Sequence, residues 1–223
     1  MAGDYKKEII KEITRMSGKY SIDSVFTDWI ECCAITIQNS CCIIRDELWQ
    51  ERENRYLKII NTYSKEEQQS FAKMLAFLAL AYEEGFSDVL GEIYMELGRG
   101  NKYMGQFFTP YHVSKLMAEM VFLPDEISED EPLTLNEPTV GAGGMVIAAA
   151  DVLNQRGINY QRCMEVTAQD IDWRAVYMAY IQLSLLGISA TVVQGNTLSE
   201  PYIPGVTDER HILRTPKKMG ILM

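Results

Sequence analysis

Three glycines and one aspartate stand where a nucleoside could be bound. Gly141, Gly143 and Gly144 lie between a predicted strand and a predicted helix, and Asp170 follows at the end of the next predicted strand. Glycine accepts positive φ and lets the backbone approach a ligand closely, while a helix N-terminus favours negative groups. An acid at the end of the second strand is the usual acceptor for ribose hydroxyls. The combination predicts a nucleoside site.

Each of these features also has a purely structural explanation. The glycines could form a tight strand-to-helix turn, and Asp170 could cap the helix that opens at Trp173. Their co-occurrence favours nucleoside binding. The glycine spacing is not G-x-G-x-x-G, and Glu137 precedes it. An acid in that place suits an ammonium group better than a pyrophosphate, which favours a ligand with a methionine moiety.

The elements around these residues alternate between strand and helix. Short β-branched runs predict strands at 132–136, 163–169 and 190–194, and apolar helical periodicity predicts helices at 146–154 and 173–186. Parallel strands need helical crossovers, so this order predicts an α/β fold with a parallel sheet. The glycines and Asp170 then meet at the carboxyl ends of the strands.

The first hundred residues carry helical patterns instead. Apolar residues recur at spacings of three and four, which predicts one helical face formed by Phe26, Trp29, Ile30, Cys33, Ile37, Cys41, Ile44 and Leu48. The charged run 45–55 is predicted to continue that helix. Ser64 and Glu67 form a capping-box pattern at the start of a second long helix, and Ser87 or Asp88 can cap a third. We therefore expect a helical domain at 1–100 and a Rossmann-like domain at 101–223.

Composition and charge exclude several classes of protein. The 223 residues include 47% hydrophobic and 23% charged residues, which is typical of a globular chain. No apolar run is long enough for a membrane span, and the N-terminus lacks a signal-type apolar core, so we expect a cytoplasmic protein without membrane contact. A net charge of −10 argues against coating nucleic acid through overall charge. A partner could still bind it, as could a local basic patch such as Arg210, Arg214, Lys217 and Lys218.

Five cysteines lack the spacing of a disulfide framework or a zinc site. Cys32 and Cys33 are adjacent, as are Cys41 and Cys42, and the chain has two histidines. We expect buried free thiols and no metal site.

Four segments, in order, resemble successive motifs of the N6-adenine DNA methyltransferases: GQFFTP at 105–110, EPTVGAGG at 137–144, AQDID at 168–172 and GNTL at 195–198. The likeness is greatest to the modification subunits of type I restriction–modification systems. Asp88-Val-Leu-Gly91, with Tyr94, also resembles the helix before the first motif. This resemblance implies a Rossmann-like S-adenosylmethionine-dependent methyltransferase fold with a partial parallel sheet.

The resemblance also implies roles for individual residues. The methionine end of S-adenosylmethionine would meet residues of the first two motifs, namely Gln106, Phe107, Thr109, Pro110, Glu137, Pro138, Gly141 and Gly143. Of these, Glu137 would face the ammonium group. Asp170 would accept from the ribose hydroxyls, Ile171 would pack on the adenine, and Asn196 would meet its edge, where the family more often has aspartate.

The catalytic motif of the family is missing from the chain. Transfer to an adenine amino group uses Asn/Asp-Pro-Pro-Phe/Tyr after the fourth strand, where the aromatic ring stacks on the flipped base. No Pro-Pro pair occurs in the sequence. Thr215 and Pro216, behind a short apolar strand at 212–213, stand where an eroded motif would fall, although an ordinary proline-containing loop is the favoured explanation. The chain therefore looks truncated before the motif.

Two functions from different classes follow. The first is a site-specific DNA adenine-N6 methyltransferase of a type I-like modification system, completed by a specificity subunit or another partner. The alternative is a catalytically silent module for S-adenosylmethionine binding and assembly.

The resemblance places the first strand in the middle of the sheet, between the second and the fourth. With only 212–213 available as a fourth strand, the strand at 133–135 should present a nearly bare edge. Either the N-terminal helices should fold over that side, or another copy or a partner should cover it. The apolar face from Phe26 to Leu48 is long enough for either role, and we expect a homodimer.

Overall fold

The computed structural model describes residues 4–98, 107–122 and 132–221, so Gln106 and the predicted domain boundary after residue 100 lie outside the described residues. The chain divides into two units. The first comprises Met1–Gly85 and Glu92–Phe107, and the second comprises Phe86–Gly91 and Phe108–Met223.

The first unit is helical within the described residues. Its helices are α1 (Tyr5–Met16), α2 (Ile22–Cys41), α3 (Glu47–Ile60), α4 (Lys65–Glu83) and the greater part of α5 (Val89–Gly98). Helix α1 packs on α4, and α2 packs on α3. The predicted capping box is confirmed, because the Ser64 hydroxyl accepts from the Glu67 N–H and the Glu67 carboxylate accepts from the Ser64 N–H.

The predicted continuous helix from Phe26 through the charged run is wrong. Helix α2 ends at Cys41, and α3 begins only after Asp46, whose carboxylate caps it by accepting from the Trp49 N–H at 2.8 Å. Ile44 lies in the break and is 75% exposed. Asp46 is an effective N-cap, so the chain starts a new helix there instead of extending the old one.

The apolar face of α2 forms the core of the first unit. Phe26, Trp29 and Ile30 are buried, and the Trp29 indole donates to the Phe71 carbonyl at 3.1 Å. This face is therefore not available as the dimer surface suggested by the sequence. The buried Glu31 carboxylate is paired with the Arg55 guanidinium through bonds of 2.6 and 2.7 Å.

The cysteines are free thiols, as predicted, and all but the half-buried Cys42 are buried. Burial raises the pKa of the Cys32 thiol to about 12. A thiol in such an environment is inert at neutral pH.

The second unit contains the predicted α/β fold, and the fold class is confirmed. Its described elements are α6 (Tyr111–Val121), β1 (Leu133–Glu137), α7 (Gly144–Gln155), α8 (Tyr160–Cys163), β2 (Met164–Asp170), α9 (Trp173–Leu185), β3 (Ser189–Gln194) and β4 (Ile212–Arg214). A 3₁₀ turn at Glu209–His211 precedes β4. The sheet order is β1-β2-β3-β4, with β1, β2 and β3 parallel.

The position of the last strand differs from the prediction. Strand β4 pairs antiparallel with β3, with Val192 opposite Leu213, at the edge of the sheet away from β1. It therefore does not take the place of a parallel fourth strand beside β1. Among the described residues β1 has one strand neighbour, β2, so the predicted open edge at β1 is confirmed for this part of the chain.

Helix α6 turns its apolar side outward. It packs on α7 through its polar and small side, where Ser114 and Ala118 are buried. The Asp151 carboxylate of α7 accepts from the Tyr111 hydroxyl at 3.0 Å and pairs with Lys115 at 2.8 Å. The exposed residues on the other side form the α6 stripe, which consists of Val113, Leu116, Met117, Met120 and Val121.

None of the helices in the described ranges is both long enough and apolar enough to cross a membrane.

Candidate cofactor-binding site

Three loops meet at the carboxyl ends of β1, β2 and β3, where the sequence predicted the site. The Val140 N–H donates to the Gln169 carbonyl, and the Gly195 N–H donates to the Asp170 carbonyl, each at 2.9 Å. These bonds fasten the loops after β1 and β3 to the end of β2. The Thr197 hydroxyl also donates to the Pro138 carbonyl at 2.6 Å, which joins the two outer loops directly.

Asp170 connects the backbone of two loops through its side chain. One carboxylate oxygen accepts from the Gly141 N–H at 2.9 Å, and the other accepts from the Asp172 N–H at 3.0 Å. Asp170 is not the cap of α9, because Asp172 takes that role by accepting from the Arg174 N–H at 2.9 Å. A carboxylate oxygen has more than one acceptor position, so half-buried Asp170 retains capacity for a ligand hydroxyl.

The glycine loop contains the positive φ angles that its glycines were predicted to permit. Gly141 has φ +55° and Gly143 has φ +101°. A Cβ atom on Gly141 would lie 2.9 Å from Cδ1 of Phe108, so the Phe108 ring rests directly on the loop. This contact brings Phe108, in the segment before α6, onto the glycine loop.

The remaining predicted residues of this segment lie in solvent. Phe107 is 86% exposed, and Thr109 and Pro110 are exposed just before α6. By the division of the chain, Phe107 belongs to the first unit and Phe108 to the second. Gln106 lies outside the described residues.

The remaining predicted site residues combine polar and apolar groups. Glu137 is half-buried at the end of β1, where its carboxylate accepts from the Thr139 N–H at 3.3 Å, and Pro138 beside it is exposed. Ile171 is 63% exposed directly after Asp170. Asn196 is exposed after β3, and its side-chain oxygen accepts from the Leu198 N–H at 3.0 Å.

The structure does not bring Thr215 and Pro216 to this site. Thr215 is fully buried, and its hydroxyl donates to the Ile188 carbonyl at 2.7 Å and accepts from the Ala190 N–H at 2.9 Å. These partners lie at the amino end of β3, whereas the site lies at its carboxyl end. The hydroxyl holds the chain after β4 to β3, so the prediction of a catalytic role for Thr215 and Pro216 finds no support in this geometry.

Most of the cations proposed as a basic patch are paired with carboxylates. Arg210 pairs with Asp208 at 2.9 Å, and Lys218 pairs with Glu165. Arg214 makes two bonds to Glu209 at 2.5 and 2.8 Å, and this pairing lowers the pKa of the Glu209 carboxyl. The pairs leave little unbalanced positive charge in this part of the surface.

Two buried polar residues behind the glycine loop were not identified as site residues from the sequence. Gln182 is fully buried on α9 and donates to the Ala142 carbonyl at 2.6 Å. Asp88, considered above as a cap and as part of the segment that resembles the helix before the first motif, is 3% exposed and accepts from Gln182 at 2.8 Å. The sequence signal that could have identified Gln182 is its polar side chain within the apolar pattern of α9. Among the described residues no cluster of His, Cys, Asp or Glu could hold a metal ion.

Residues 86–217 match the sequence profile of the family described as N-6 DNA Methylase. The chain belongs to this family. A structural relative is the methyltransferase subunit of a type I restriction–modification system from Streptococcus thermophilus, which is 21% identical. The match covers 87% of this chain and 45% of the relative, with a TM-score of 0.46. No curated protein matches.

The contact between Gly141 and Phe108 can be tested against a glycine without such a neighbour. Gly157 also has positive φ (+75°), and a Cβ there would meet no atom within 4 Å. Both Gly→Ala changes should strain the backbone, at about 1 kcal/mol each. Gly141→Ala should lower the free energy of unfolding in urea by more than Gly157→Ala does, because its methyl group collides with the Phe108 ring. This difference between the two variants should vanish when Phe108 is also changed to alanine. Equal costs for the two single variants would contradict this geometry.

Proposed function

We propose that this chain binds S-adenosylmethionine and supplies the cofactor site of a DNA adenine-N6 methyltransferase. The observation that carries the proposal is the Asp170 carboxylate, bonded to Gly141 of the glycine loop at the end of the second parallel strand. Family membership supports this chemistry, and the geometry of the loop supports this location for it.

The groups at the site fit the chemistry of this cofactor. An ammonium group suits the half-buried Glu137 carboxylate, and ribose hydroxyls suit the acceptor capacity of Asp170. The exposed Ile171 side chain offers an apolar surface for the adenine ring. When bound, S-adenosylmethionine would supply the methyl group. The residues of this chain would bind and orient it, with Asn196 beside the adenine and the segment from Gln106 to Pro110 beside the methionine end.

The methyl-transfer step needs residues that these 223 do not include. The adenine amine requires an acceptor and an aromatic ring of the Asn/Asp-Pro-Pro-Phe/Tyr type, and the sequence has no Pro-Pro pair. We propose that a partner, such as the specificity subunit of a type I-like modification system, contributes to target binding and completes the site. The second candidate, a silent cofactor-binding and assembly module, is favoured by the same absence. Either protein would act in the cytoplasm.

Asp170→Ala should weaken S-adenosylmethionine binding by ~1–3 kcal/mol, because a charged acceptor and the bond to the glycine loop are both lost. The measurement is calorimetric titration. Asp172→Ala is the matched control, since it removes a neighbouring carboxylate that caps α9, and its binding constant should stay close to the original. The absence of binding by the unchanged chain would contradict the proposed function.

The purified chain alone should transfer no methyl group to adenine-containing DNA. The assay uses labelled S-adenosylmethionine, with a separate active adenine methyltransferase as the control for the DNA. Transfer that appears when candidate partner subunits are added would favour the enzyme. If the chain binds the cofactor but stays inactive with every partner, the silent module is favoured. Robust turnover by the chain alone would show that no partner is needed to complete the site, which would contradict the proposal.

We further propose that two copies associate through the open edge of β1 and the α6 stripe. An exposed strand edge and a stripe of five apolar residues both favour association. Antiparallel pairing of β1 with itself would give the self-complementary contact of a two-fold dimer. Light scattering should report a dimer, and Leu116→Lys with Met120→Lys should convert it to a monomer. Ile43→Lys, at a residue 98% exposed in the first unit, is the control. A monomer in the unchanged chain would contradict the proposal.

A further inference from the structure

A single amide side chain lies directly behind the glycine loop. Gln182 of α9 is 0% exposed. Its NH₂ group donates to the Ala142 carbonyl at 2.6 Å and to the Asp88 carboxylate at 2.8 Å, and its oxygen accepts from the Leu90 N–H at 2.8 Å. The amide thus links α9, the glycine loop and the beginning of α5 within the second unit.

The Asp88 carboxylate occupies space that two glycines leave open. It accepts from the Gly91 N–H at 3.0 Å. A Cβ on Gly91 would lie 2.1 Å from the carboxylate oxygen Oδ2, and a Cβ on Gly144 would lie 3.1 Å from the same atom. Asp88 is therefore fixed between the first turns of α5 and α7, and it holds the Gln182 amide in one orientation.

The bond to Ala142 bears on the conformation of the loop itself. The Ala142 carbonyl and the Gly143 N–H belong to one rigid peptide plane. The carbonyl side of this plane is bonded to Gln182, and the N–H side donates to the Val140 carbonyl at 2.9 Å. Glycines flank Ala142 on both sides with positive φ, and glycine opposes rotation of a neighbouring peptide weakly. Gln182 is thus placed to select one orientation of this peptide.

We propose that Gln182, oriented by Asp88, is a positioning residue for the cofactor loop. By fixing the peptide between Ala142 and Gly143 it sets the loop surface beside which the methionine end would bind. This inference rests on the proposed binding of S-adenosylmethionine. The adenosine end would depend instead on Asp170, Ile171 and Asn196. The Gln182–Asp88 pair, called the clamp below, should therefore affect the two ends of the ligand differently.

The first test compares two ligands in calorimetry. Gln182→Met should raise the dissociation constant of S-adenosylhomocysteine about tenfold, while that of adenosine changes by less than about threefold. In the free protein, hydrogen exchange of the Gly141 and Gly143 amides should become faster. Tyr160→Phe is the control, because it removes a buried bond to the Leu186 carbonyl, outside the glycine loop, and should change neither readout.

The second test separates positioning from stability. The paired change Asp88→Asn with Gln182→Glu preserves total charge and allows the new amide to donate to the new carboxylate. It should restore part of the thermal stability lost in Gln182→Met, because the bond between side chains 88 and 182 and the bond from the Leu90 N–H return. At about pH 8.5, where carboxyl groups are ordinarily ionised, the Ala142 carbonyl still lacks a donor. Tight S-adenosylhomocysteine binding should therefore not return.

The outcomes distinguish this inference from the proposed function. The clamp would be supported if both Gln182→Met and the paired variant bound S-adenosylhomocysteine weakly and showed fast hydrogen exchange at the Gly141 and Gly143 amides. Equal losses of affinity for S-adenosylhomocysteine and adenosine in Gln182→Met would contradict the clamp. Full recovery of S-adenosylhomocysteine affinity in the paired variant would contradict it as well. Neither result would contradict the proposed binding of S-adenosylmethionine by the unchanged chain. If the unchanged chain bound neither ligand, the proposed function would fail and the inference with it.

Discussion

The Asp170 carboxylate is the interaction on which the candidate site depends. Its two bonds join the end of β2 to the glycine loop on one side and to the approach to α9 on the other. Parallel pairing of β1 with β2 brings Glu137 level with Ala168, so the loop after β1 begins close to this carboxylate. The same register explains why residues far apart in sequence converge here without a disulfide or a metal ion in the described residues.

The parts of the fold that follow local rules could be predicted from the sequence. The three parallel strands and the capping box at Ser64 were predicted because periodicity and capping are properties of short segments. The break between α2 and α3 was missed, although Asp46 gives a local signal. Apolar spacing extends across the break through Ile44, and the pattern does not distinguish an exposed isoleucine from a buried one.

Pairing over long distances could not be predicted in the same way. Strand β4 has three residues, and its sequence does not indicate whether it pairs with β1 or with β3, in either direction. Its position is set by tertiary contacts such as the Thr215 hydroxyl, which adds side-chain bonds to Ile188 and Ala190 at the start of β3. Gln182 was missed for a related reason, because its partners Asp88 and Leu90 are about ninety residues distant and only the fold brings them together.

The charge distribution bears on how a DNA substrate could be held. Long-range attraction to phosphates needs unbalanced positive charge, and its strength grows with the number of phosphates neutralised. This chain has a net charge of −10, and three of the four cations near its described C-terminal end are paired with carboxylates. Binding DNA through those cations would first require separating them from Asp208, Glu209 and Glu165. The candidate site does not depend on these pairs, because the bonds that join its three loops involve other residues, among them Asp170 and Thr197. In the proposed function, cofactor binding and DNA binding would therefore be physically separable, and a basic partner could supply the second without altering the first.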